Sequence, residues 1–358
     1  MVGDSGLAVG NVPRVNGLRL NAVDRDLDRV VGVNLTLWRP RPDAPRLGGR
    51  VIGLAAGLQP TAGALDGMAL GLGGVSGERQ VRGLHLGGLA VVSGGELLGL
   101  GAGGLAVVAG GSLRGAHLAG LAAVSDGPVQ GAQLAGLGVV SQSGMSGAQA
   151  GGLAVVAEGP LRGVQAAGLA VVGGDGVAGV QAAPVAVIAD DWMRGVQLSA
   201  IGTVAGEGML GVQGAGLGLV SGGTARGVQV AGLAVVSRED LVGIQVAGGA
   251  VVASGSMTGI QAALLGVTAR DRIRGITLTG YRTETRRLEG LNLSGWTEID
   301  HLRGVSASLH HGVETQTGLA VGLVNRADVL RGVQVGLVNR AENNRRPFRT
   351  LPLVNASR

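Results

Sequence analysis

A glycine recurs every sixteen residues through most of this chain. Aligning the motif Gly-Val-Gln-x-Ala-Gly-Leu-Ala-Val-Val puts a marker at Gly67, then at each sixteenth position to Gly275. Beyond it the markers continue at Gly290, Gly304, Gly318 and Gly332 with a step of 14, and weaker copies stand at Gly17, Gly32 and Gly53. A fixed period means that each unit is one supersecondary element, which buries its apolar face only by stacking on its neighbours. Sixteen residues is too short for paired helices. Within a unit such as Gly163 to Val172, Val-Gln-Ala-Ala and Leu-Ala-Val-Val read as short β runs, separated by Gly168 and followed by the turn Gly173-Gly174-Asp175-Gly176.

Alternation gives each run two faces. Val164 and Ala166 share one face and Gln165 takes the other, while Leu169 and Val171 share a face opposite Ala170 and Val172. With both apolar sets turned to a common axis the chain coils, and the expected fold is all-β, a parallel β-solenoid of 14- to 16-residue rungs with irregular terminal caps. Residues 1–16 read as an N-terminal cap, 17–342 as one repeat domain (16-residue units over about 67–289, 14-residue units over about 290–342), and 343–358 as a C-terminal cap. Trp38 to Gly49, with Pro40, Pro42 and Pro45, reads as a loop.

The interior expected from composition is thin. Apolar residues make up 46% of 358 residues, yet there is one Phe, one Tyr and three Trp, so Val, Leu and Ala must fill it.

Two columns run through the repeats. The second residue after the marker is glutamine at Gln133, Gln149, Gln165, Gln181, Gln197, Gln213, Gln229, Gln245 and Gln261. Stacked amides supply donor and acceptor to their own copies above and below, so these residues are expected to form a structural ladder that sets register. The residue before the marker is arginine at Arg82, Arg114, Arg162, Arg194, Arg226 and Arg274, never on two successive units. Adjacent rungs would set guanidinium groups about 5 Å apart and alternate ones about 10 Å, near the Debye length in physiological salt.

Laid out in this way, Gly227-Val-Gln-Val-Ala-Gly-Leu-Ala-Val-Val236 and Gly332-Val-Gln-Val-Gly-Leu-Val-Asn339 resemble the bacterial surface-repeat proteins first described from Leptospira, whose repeats commonly read G-x-Q-x-(A)-G-L-x-N. The closing stretch, with Asn343-Asn344 and Leu351-Pro352-Leu353-Val354-Asn355, is similar to the way many members end, and the likeness covers about residues 60–358. In the 16-residue block Val or Ala replaces the motif's Asn, which stands only at Asn325 and Asn339. That family carries no agreed activity. The resemblance implies a bacterial envelope or surface setting, although Met1-Val2-Gly3-Asp4-Ser5 shows no signal peptide.

Sites of chemistry are sparse. Without Cys there are no disulfides or thiolate metal sites. Without Lys there is no phosphate-cradling G-x-x-x-x-G-K-[ST], and the spread arginines, net charge +5 with no interleaved aromatics, do not form a nucleic-acid surface. His85 and His117 occupy the ladder column two rungs apart with Gly101 between, about 10 Å in backbone separation, wide for one metal, and read as polar ladder substitutes. His310-His311, Glu298-Ile299-Asp300-His301 and Asp190-Asp191 beside Trp192 lack ligand spacing on a known element. Turn acids are too sporadic for a calcium ladder, and no carboxylate clusters on adjacent rungs suit carbohydrate chemistry. No cofactor, metal or small-molecule substrate is read. The expected function is a non-enzymatic structural or interaction repeat protein, with copies of itself or other envelope proteins as partners. The alternative is an outer-membrane β-barrel of about 20 strands.

Overall fold

The computed structural model describes residues 4–38 and 48–357. The chain divides into two compact units, Met1–Ala183 and Pro184–Arg358. Each is a parallel β-solenoid, with no helix among the described residues.

In the 16-residue block a rung holds one longer and one shorter strand. Leu161–Ala167 and Ala170–Gly173 are such a pair in the first unit, and Ala225–Ala231 and Ala234–Ser237 in the second. Between such rungs long strands pair with long strands and short with short, parallel and in register, so Gly147 lies opposite Gly163 and Gly211 opposite Gly227. Where the period shortens to 14 the turns disappear, and Arg282–Val321 runs as one 40-residue strand through Gly290, Gly304 and Gly318. The final strand, Thr350–Ser357, folds back antiparallel on Val324–Ala341. At the other end Ser5–Val9 already pairs parallel with Arg14–Val23, Gly6 opposite Gly17, so stacking reaches into the stretch expected to be a cap. The loop expected at Trp38 to Gly49 lies mostly outside the described residues. Parallel rungs do not favour the barrel alternative, which requires antiparallel neighbours.

The marker is glycine for a steric reason. Every marker has φ between +104° and +146°, a region that side chains rarely enter. A β-carbon at Gly163 or Gly227 would also collide with the carbonyl oxygen of the marker one rung earlier. This backbone forms a corner, so the residues on both sides of it, such as Arg162 and Val164, are exposed.

That corner corrects the expected faces. Gln165, not Val164 and Ala166, points to the axis, and Val164 is 53% exposed. Leu169 and Val171 do not share a face: Leu169 lies in the turn outside the strand at 48% exposure, while Val171 is fully buried. The interior consists of five rows, represented in one rung by Leu161, Gln165, Ala167, Val171 and Gly173, the last row holding Ala157 and Ser141 in the two rungs before it. Burying the amide is tolerable because its copies hydrogen-bond one another, which removes most of the desolvation cost of an unpaired polar group.

Candidate functional site

Two features stand apart from the aliphatic stack: a polar column inside it and a charge-free sector outside it.

The column lies two residues past each marker. Gln149 Nε2 donates to Gln133 Oε1 at 3.0 Å, Gln165 to Gln149 at 2.8 Å and Gln181 to Gln165 at 2.7 Å. In the second unit Gln213, Gln229, Gln245 and Gln261 donate in the same way, each to the amide one rung earlier. Backbone carbonyls take the second amide hydrogen, as Arg162 O does from Gln165 Nε2 at 3.0 Å. Parallel stacking in register thus puts every named glutamine inside, where its amide has partners of its own kind.

Toward the N-terminus the same column reads Gln133, His117, Gly101, His85, Ala69, Ala55, Asn34, Arg19. His85 and His117 are buried, and their rings stack at 5.3 Å between centroids with 23° between planes. They meet across two rungs because Gly101 has no side chain: a β-carbon there would overlap the His85 ring. Neither ring's nitrogens have a hydrogen-bond partner, and burial lowers both pKa values to about 4, so both are neutral at pH 7. The histidines flanking a glycine in one column signal this pairing.

Arg19 and Asp24 are a buried ion pair that sequence reasoning missed, although an arginine in the amide column is itself the signal. Asp24 accepts from Arg19 at 2.8 Å, Asn21 at 2.8 Å, Asn34 at 3.0 Å, Thr36 at 2.8 Å and the Thr61 backbone amide at 3.4 Å. With this many donors on one carboxylate the pair is held as a structural node.

The other candidates do not converge. His310 stacks on Trp296 at 4.0 Å, whereas His311 turns inward, bonds Ser306 at 2.8 Å and has its pKa lowered by burial to about 4. Glu298 pairs with Arg282 at 2.7 Å, and Trp192 carries the Arg194 guanidinium 4.9 Å above its ring beside Asp190 and Asp191. Among the described residues no three His, Asp or Glu side chains stand close enough to hold a metal ion.

The outer surface is divided sharply by charge. In Gly67–Ala183 every Asp, Glu and Arg lies between the end of the shorter-strand stretch and the next marker: just before a marker, as Arg82, Arg114 and Arg162 do, in the turn, as Asp126, Glu158 and Asp175 do, or, for Glu78, Arg79 and Glu96, on strand residues at the same place in the rung. In Pro184–Gly275 Arg194 and Arg226 stand before markers and Glu207 and Glu239 in turns, while Arg270, Asp271 and Arg272 occupy the equivalent stretch where the strand Gly266–Thr279 runs on without a turn. The rest of each rung, from the residue after the marker through the shorter strand, is uncharged and outwardly apolar. Its crest is the exposed turn residue, Leu121, Leu137, Leu153 and Leu169 in the first unit and Leu217 and Leu233 in the second.

The chain matches no protein-family model, no curated protein and no solved structure.

Proposed function

We propose that this chain is a non-enzymatic structural and interaction scaffold of a bacterial envelope or surface, which docks through its charge-free sector. One observation carries the reading: charged side chains are excluded from a contiguous part of each rung across successive rungs, while exposed Leu, Val and Ile fill it. Single exposed leucines are ordinary, but soluble monomers rarely expose contiguous apolar patches larger than a few hundred Å². Eight rungs from Gly67 to Gly179 span roughly 34 Å at the usual strand spacing, and ten residues of perimeter give roughly 1,100 Å² in the first unit alone. That exceeds the ~800 Å² each partner contributes to a standard interface. The envelope setting is supported by the resemblance of the Gly-x-Gln-x-Ala-Gly-Leu repeats to bacterial surface-repeat proteins. The titratable groups support a non-catalytic role, since His85 and His117 stack on each other, His311 bonds Ser306, His310 stacks on Trp296, and the acids form no cluster of three with one another or with histidine among the described residues.

Charge placed on the crest tests the reading. Leu121→Glu with Leu153→Glu is expected to abolish the chain's association with its partner surface while leaving the β circular dichroism unchanged. Analytical ultracentrifugation showing a compact monomer for both wild type and variant, with no other binding lost, would contradict it.

A further inference from the structure

The occupant of the sector is decided by its shape and its backbone. The sector is not one flat face. It begins on the longer strand, passes over the Leu crest and continues along the shorter strand, so it wraps a convex edge. A rigid partner laid against either strand face leaves the crest and the other face in water. Only a medium that conforms to the edge covers all three.

The amide side of the crest backbone is prepared for such a medium. In hydrocarbon an unpaired N–H or C=O costs several kcal/mol, which restricts membrane contact to structures whose backbone bonds are internally satisfied. The amides of the crest turn are paired from rung to rung: Gly168 N–H donates to Gly151 O at 3.1 Å, Leu169 to Leu153 O at 2.8 Å and Ala170 to Leu153 O at 3.2 Å. In the second unit Gly232 and Leu233 donate to Ala215 O at 3.1 Å and Leu217 O at 2.8 Å. Beside the crest, Gly88, Gly104 and Gly120 floor an apolar furrow of about 720 Å³ walled by Leu86 and Leu118.

One border suits a headgroup layer. Within each unit, from Arg82 to Ala178 in the first and from Arg194 to Arg274 in the second, the position before the marker holds arginine or an uncharged residue and no acid, so in each unit that edge of the sector carries only cations. Arginine there keeps its stem on apolar surface and its guanidinium among anionic headgroups. Where charge re-enters the perimeter near Arg282 and Glu298, the crest column holds Tyr281, 62% exposed and the chain's single tyrosine, and then Trp296. Amphipathic rings of this kind concentrate at the boundary between hydrocarbon and water.

We infer that the charge-free sector lies in the surface of a lipid bilayer, crest in the acyl region and charged turns in water, as the β-solenoid counterpart of an interfacial amphipathic helix. This inference rests on the docking function proposed above and names its partner.

Flotation of the full chain with vesicles of phosphatidylcholine and phosphatidylglycerol (3:1) tests it. The chain is expected to float with the vesicles and to remain bound in 1 M NaCl, since burial and not charge holds it, and Leu121→Glu with Leu153→Glu is expected to stay at the bottom of the gradient. Because the chain lacks cysteine, Leu153→Cys and Asp175→Cys each give a single thiol for an environment-sensitive dye. Vesicles should shift emission to the blue from the first and not the second. A wild type that never floats, yet forms oligomers which the double Glu variant dissociates, overturns the lipid inference and leaves the docking function standing with a second copy as partner. A wild type that neither floats nor associates sinks both.

Discussion

The interior polar column is built in two ways within one unit. Near Gly17 and Gly32 it is a charged node, Arg19 against Asp24 with Asn21, Asn34 and Thr36 around them. From Gln133 to Gln181 it is a run of identical amides, each bonded to the next. The amide has a donor and an acceptor at its tip, so a copy one rung away satisfies both, and the ladder can be extended by repeating the same residue. A carboxylate only accepts and a guanidinium only donates, so the node depends on several different side chains converging from separate positions. Between the two, His85 and His117 lean together across Gly101 and satisfy neither requirement.

The largest expected effect comes from breaking the node. Asp24→Ala leaves the Arg19 guanidinium buried with no counterion, at a cost of about 3–5 kcal/mol. Hydrogen exchange should accelerate in Arg14–Val23 and Arg29–Trp38 and stay unchanged in Val129–Ala135; uniform acceleration would show that the node is not local.

Gly147→Ala attacks the corner that both regions share. It forces a β-carbon at φ +109° onto the Gly131 carbonyl and should cost about 3 kcal/mol, read by urea unfolding. Gly17→Ala should be equally damaging, because the corner is independent of what fills the column.

Acid sharpens the contrast at the imidazole pair. His85 and His117 have folded pKa values of about 4 against an ordinary 6.5, so the unfolded chain binds protons more readily between those values. Stability is therefore complete above pH 6.5 and falls as pH drops toward 4, by roughly 2 kcal/mol per imidazole at pH 5. His85→Gln with His117→Gln should shallow the fall in melting temperature over pH 7 to 5 and leave the part that belongs to His311, which is shifted in the same direction; an unchanged slope would exclude the pair as a source.

The smallest effect is expected inside the ladder. Gln149→Leu preserves bulk but removes the donor to Gln133 Oε1 and the acceptor for Gln165 Nε2, which keeps its bond to Arg162 O, so the loss should be about 1–2 kcal/mol by urea unfolding.

Much of this architecture is legible in the repeat. Markers at a constant step require stacked equivalent rungs, and nine successive glutamines at one offset are most simply satisfied by in-register parallel stacking. An arginine in the amide column signals a buried polar partner, but the node itself was not legible: Asp24 sits just past the end of the same strand, Thr61 comes from a later rung, and nothing in their spacing shows that they meet. The imidazole contact was misjudged because backbone separation was taken for ring separation. With Gly101 between them, two side chains cross a distance that an intervening β-carbon would have blocked.

From its sequence alone this chain is a stack of β rungs with a narrow aliphatic interior and an amide column, since periodicity and composition permit little else. Which face of each run turns inward was decided only by the tertiary structure. Alternation defines two faces without assigning either to the axis; the positive-φ corner at each marker and the self-pairing of buried amides make that assignment. The same choice turns Val164 and Leu169 outward and so creates the surface through which the protein is proposed to act.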